Sequence, residues 1–159
     1  MMDTTQLLRR MTGLRKIILI IALLIIGYVA IAYVRAFFWN KEAIEYSRES
    51  LTAIAKPWNI QKILERASPT LKINSVERMA ENLNAYNLIL GELSAVGSEI
   101  KCELVSGIDT YDNMKHTYAK CLVPAKFEKQ EAMFYLELLY DKSDVWHINN
   151  FSLNSIVSS

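Results

Sequence analysis

The sequence predicts an α+β protein: one N-terminal transmembrane helix, followed by three helices packed on a curved antiparallel sheet. Three observations carry this prediction. The eighteen residues from Ile17 to Val34 hold no charge and no strongly polar group. Between Lys41 and Gly91 apolar residues recur at helical spacing. From Ile100 onward they recur at every second position, as half-buried strands require. A chain of 159 residues has room for one globular domain plus an appendage.

The apolar run reads IILIIALLIIGYVAIAYV. In hydrocarbon every backbone group must be satisfied within the segment, so a run of this length is a helix. Arg35 sits near its end, where an arginine snorkels to the headgroups, and the apolar character resumes with Phe37, Phe38 and Trp39. Ile17 to Trp39 spans roughly 35 Å as a helix, enough to cross a bilayer with modest tilt. Tyr28, Tyr33, Phe37, Phe38 and Trp39 gather toward one side as an interfacial aromatic belt. Before the run, Arg9, Arg10, Arg15 and Lys16 stand against Asp3, a local charge of +3. That bias places residues 1–16 in the cytoplasm, residues 17–39 across the membrane, and residues 40–159 outside the cytoplasm. Two other readings compete. One is a buried core helix. The other is a signal peptide cleaved after the small residues of Ala30-Ile31-Ala32, which would release the exported domain from the membrane.

From Arg35 onward the chain holds 14 basic and 16 acidic residues, a charge of −2. A domain so balanced lacks the clustered Lys and Arg that a nucleic-acid backbone requires, so nucleic acid is excluded as a partner.

Within this domain, Ile44, Ser47, Leu51, Ile54 and Ala55 share a helix face over Lys41–Lys56, and Pro57 ends that helix. Ile60, Ile63, Leu64 and Ala67 make a second helix, stopped by Ser68-Pro69. Asn74 and Glu77 match a capping box opening a third helix, with Val76, Met79, Ala80, Leu83, Tyr86 and Leu90 on its core face and Gly91 as its stop. Strand alternation follows in Ile100–Leu104, Tyr118–Phe127, Ala132–Tyr140 and Val145–Leu153, the last two joined by the turn Asp141-Lys142-Ser143-Asp144.

The segment Arg66-Ala67-Ser68-Pro69-Thr70-Leu71-Lys72 and the tail from Val145 to Ser155 resemble small uncharacterised bacterial proteins of the nuclear transport factor 2-like and cystatin-like superfamily. Those proteins also carry a short N-terminal membrane segment. The similarity covers Ala43 to Ser155. It implies a cone-shaped fold and an envelope location, with no activity attached and no site residues transferred.

Cys102 and Cys121 are the only cysteines. Their midpoint falls inside the turn-like Thr110-Tyr111-Asp112-Asn113, so a hairpin turning there sets them opposite one another, and an oxidising compartment would join them. The alternative is two buried free thiols acting as small hydrophobes.

No stretch spells a catalytic or cofactor motif, and no cofactor or metal is expected. His116 and His147 read as surface histidines without further ligands at metal spacing. Asp141 and Asp144 lack the Gly and terminal Glu of a calcium loop and read as a hairpin turn. Asn150-Phe151-Ser152 matches a glycosylation acceptor inside a strand, and Ala32 with Ala36 is a weak helix-pairing signal. Three function classes remain. The leading one is a non-catalytic envelope protein that binds another protein or a peptide, because Met133, Tyr135 and Leu139 put apolar surface on the sheet face opposite the core. The second is a binder of small apolar ligands inside the cone, lined by Trp58, Tyr86, Tyr118 and Trp146. The third is an enzyme of the same superfamily, with Glu137 as its buried acid or base.

Overall fold

The computed structural model describes residues 4–74, 76–109 and 111–157, the side chains of residues 4–15 and 74 excepted. The chain divides into two units, Met1–Phe38 and Trp39–Ser159. Helix α1, Thr4–Ala55, contributes to both.

In the first unit every side chain from Lys16 to Phe38 is exposed, including all the leucines and isoleucines of the run. The helix is long and apolar enough to cross a membrane, and none of its apolar window is buried against protein. A buried core helix would bury that surface, so this reading is set aside. Each such side chain favours an apolar surrounding by about 1.5–3 kcal/mol, which a bilayer supplies and water does not. Arg9, Arg10 and Arg15, which give the span its expected direction, and Asp3 lie outside the described side chains.

In the second unit, α1 buries Ala43, Ser47, Ser50, Leu51 and Ile54 on one stripe and leaves Glu42, Glu45 and Glu49 exposed. Pro57 follows its end, and the Asn59 side chain then caps α2 (Ile60–Arg66) by accepting from Gln61 N at 2.9 Å. Two more helices complete the set: α3 (Pro69–Asn74) and α4 (Val76–Leu90). The described part of this unit therefore holds four helical stretches where the sequence predicted three. Ser68-Pro69 follows the end of α2, as expected, and also starts the next helix. Proline is well suited to a first helical position, where its missing N–H costs no bond, and Ser68 Oγ accepts from Leu71 N at 3.1 Å as the cap. Asn74 closes α3, and its expected capping box with Glu77 falls on a side chain outside the described residues. Gly91 ends α4 at φ +77, as expected of the left-handed residue after a helix, and a Cβ there would meet Glu128 Oε2 at 2.7 Å.

Among the described residues five antiparallel strands follow: β1 (Leu93–Val96), β2 (Lys101–Ile108), β3 (Lys115–Phe127), β4 (Glu131–Tyr140) and β5 (Trp146–Val157). β3 is the spine of the open sheet. One of its edges takes β2 along Lys115–Leu122 and β1 along Ala125–Phe127, and its other edge takes β4, which pairs with β5. β1 is too short to show an alternation and was not expected. The core lies between the helices and one sheet face, where Phe134, Leu136 and Leu138 of β4 meet Val123, Ile148, Leu51, Ile54 and Ile63, all fully buried. Cys102 and Cys121 are register partners on this same side and form a disulfide.

Candidate functional site

Period two sends the alternate residues of the long strands to the face away from this core. Tyr118 and Lys120 of β3, Met133, Tyr135, Glu137 and Leu139 of β4, and Ser152 of β5 lie there. Glu137 is half-buried on that face. Its surroundings come from a bulge. Leu138 pairs with Ile148 and Glu137 with Asn150, so Asn149 is the extra residue, and bulged residues are re-aimed relative to the ladder. Asn149 Nδ2 donates to Glu137 Oε1 at 2.8 Å, and Tyr135 O–H donates to Glu137 Oε2 at 3.2 Å.

The entry to α3 holds the bulge from the other side. Ser68 N donates to Ile148 O at 2.8 Å, alongside a parallel bridge between Ala67 and Ile148. Ser68 Oγ donates to Asn149 Oδ1 at 2.8 Å. One buried serine thus caps a helix, protects the edge of β5 and orients the amide that orients Glu137. Two residues further on, Thr70 Oγ1 donates to Asp109 Oδ1 at 3.0 Å. Asp109 is buried at the end of β2 and accepts also from Tyr111 N at 2.7 Å and from Tyr118 O–H at 3.1 Å.

Two cavities, of about 400 Å³ and about 370 Å³, open on this face, and both are lined by Thr70, Glu137 and Asn149. The first continues past Arg78 and Asn82, the second past Tyr118 and Lys120. The lining is mostly polar, with charges of both signs. Burial, and then the Glu137 carboxylate, pushes the Tyr135 phenol up to about 12. Burial pushes the Tyr118 phenol up as well, with Asp109 and then Glu137 adding to the effect. Both phenols stay protonated near neutrality and serve as donors. A carboxylate offers about four acceptor positions. Asn149 and Tyr135 take one on each oxygen of Glu137, which leaves acceptor capacity beside the cavities for donors on a ligand.

Of the aromatic quartet expected to line a pocket, Tyr118 alone borders one of these cavities. Trp58 stacks on Phe127 at 5.7 Å, and Tyr86 meets Phe134 edge-on at 5.6 Å. Their polar atoms close backbone needs: Trp58 Nε1 donates to Gly91 O, and the Tyr86 hydroxyl oxygen accepts from Leu153 N. Trp146 packs on Tyr140 at 4.8 Å.

Each histidine has one carboxylate partner that its sequence neighbourhood did not suggest. His116 lies 2.8 Å from Asp112 and His147 lies 2.9 Å from Asp141. Asp112 is held below the usual carboxylate range by the Met114 N–H and then by His116. Burial raises Asp141, but bonds from His147, Ser143 N and Val145 N outweigh it and leave it lowered. Both aspartates thereby clasp hairpin turns. Among the described residues no three His, Cys, Asp or Glu side chains are grouped to hold a metal ion.

No family model, curated protein or solved structure matches this chain. Its functional reading rests on the residues themselves.

Proposed function

We propose that the chain is a single-pass envelope protein, with its N-terminal side in the cytoplasm and its α+β domain in the periplasm. The domain is a non-catalytic binding module that takes a segment of another envelope protein in the cleft around Glu137. The apolar helix and the disulfide support the location, since disulfides persist in oxidising compartments. The run of Phe37, Phe38 and Trp39 beyond Ala32 supports a retained tether over a cleaved signal. The order of helices followed by long antiparallel strands supports membership of the nuclear transport factor 2-like group.

One observation carries the binding role: Glu137 is a half-buried charge bordering two cavities, with its carboxylate oriented through Asn149 by a buried serine. A charge removed from water is costly unless it is partnered, and Glu137 retains acceptor capacity for a ligand that brings N–H or O–H donors. A polypeptide segment supplies such donors along its length. A small apolar ligand between helices and sheet has less support, because Phe134, Ile63 and Leu136 fill that space. An enzyme has less support too, because Glu137 is held by an amide and by a phenol that stays protonated.

A photoreactive side chain placed at Lys120, on the cleft rim, tests this reading in native membranes. The expected result is one discrete protein adduct identified by mass spectrometry. A pattern no different from that given by the same probe at Leu88, on the exposed face of α4, contradicts it.

A further inference from the structure

The chain leaves the apolar segment at a defined point of the folded domain. Phe38 ends the first unit and Trp39, the next residue, belongs to the second. Trp39 packs on Tyr140 at 5.1 Å between ring centroids, and Tyr140 packs on Trp146 at 4.8 Å. Tyr140 ends β4 and Trp146 begins β5, so the pair brackets the β4–β5 turn. Lys142 in that turn reaches the β2–β3 turn, with Nζ 2.8 Å from Met114 Sδ. Successive Cα atoms are about 3.8 Å apart. Trp39, the residue at which the two units join, therefore lies at the end of the sheet that carries both turns.

These turns also carry apolar side chains in the open. Ile108, Tyr111, Met114 and Val145 are exposed, Tyr111 by 60%. Turn positions favour Gly, Asn, Asp and Ser for backbone reasons, and those reasons do not account for Tyr, Met and Val here. The neighbouring charges are mixed. Lys115 and Lys142 are basic, Asp144 is acidic, and Asp112 and Asp141 are engaged by His116 and His147. Such a surface has little preference for lipid charge, and its contact with a bilayer would be apolar. The tether holds the turns close to the bilayer at high effective concentration, so a contact too weak to form between free partners suffices.

We propose that the β2–β3 and β4–β5 turns rest on the bilayer, with Tyr111, Met114 and Val145 entering its interface. The contact gives the domain a second attachment beside its tether. Tyrosine, with an apolar ring and a polar tip, is enriched at this depth. The inference rests on the membrane anchoring proposed above and is independent of the Glu137 cleft.

The test uses the full chain in phosphatidylcholine vesicles whose acyl chains are brominated near the headgroup. Tryptophan is introduced as Tyr111→Trp and, separately, as Val145→Trp, with Leu88→Trp on the exposed face of α4 as the reference. In both turn variants the added fluorescence is expected to be quenched about twofold more than in the reference, since only those rings reach the interface. Adding phosphatidylglycerol or salt is expected to leave that difference unchanged. Quenching at both turn positions no greater than at the reference overturns the proposal. Resistance to alkaline carbonate extraction reports the anchor separately. Resistant protein with unquenched turns ends this inference alone, and extracted protein ends the membrane reading with it.

Discussion

Glu137 and Asn149 are joined by a 2.8 Å hydrogen bond although they are not partners in the sheet. The ladder pairs Glu137 with Asn150, and Asn149 reaches the carboxylate only because β5 bulges there. Because Asn149 also accepts from Ser68, a helix cap and a strand charge depend on one amide.

Replacing that amide therefore disturbs two elements at once. Asn149→Ala leaves Ser68 Oγ and Glu137 Oε1 without their partner, and unfolding free energy should fall by about 1–3 kcal/mol. Ser68→Ala should cost about 1 kcal/mol through the lost cap. The double variant should lose less than the sum, because both changes break the same bond. Chemical denaturation of the detergent-solubilised full chain measures all three.

Tyr135 reports the same carboxylate at alkaline pH. An ordinary tyrosine titrates near 10, and this one is raised to about 12 by burial and then by Glu137. A raised phenol binds more protons in the folded state than in the unfolded state between those values. Its contribution to stability is complete below about pH 10 and is lost as pH rises toward about 12. Glu137→Gln should lower the Tyr135 transition and leave the part due to burial. Tyrosinate absorbance, followed with and without Tyr135→Phe, isolates the group.

The disulfide closes a loop between residues 19 apart, Cys102 and Cys121. Loop entropy for about 20 residues is worth about 3 kcal/mol. Serine at both positions, or a reductant, should lower stability by about that amount while β2 stays paired with β3. Denaturation under oxidising and reducing conditions measures the loss, and unchanged stability would show that the link carries no weight.

Much of the sheet was legible from the chain alone. The alternation Ala119, Cys121, Val123, Ala125, Phe127 named the core face of β3, and the cysteine midpoint predicted the register of β2 on β3 that the structure has. The helix count was not legible, because Ser-Pro reads equally as the end of one helix and the start of another. The site was the least visible part. Ser68, Thr70, Asp109, Tyr118, Glu137 and Asn149 are brought together by the pairing of β3 with β2 and β4, by α3 and by a bulge. A bulge is set by how two strands pair, and nothing in Asn149-Asn150 distinguishes the residue that pairs from the one that is extra. Ser68 as a helix start was the one signal in the sequence from which α3 was recoverable.

The proposed role of Glu137 is to hold a partner segment in the cleft. Its most direct test is the yield of the adduct formed from a photoreactive side chain at Lys120 in native membranes, compared between the wild-type carboxylate and Glu137→Ala. Bonds to a charged group are worth about 1.5–3 kcal/mol, so partner affinity should fall roughly tenfold to a hundredfold, with a matching loss of adduct at limiting partner. An undiminished yield from a folded Glu137→Ala chain would contradict it.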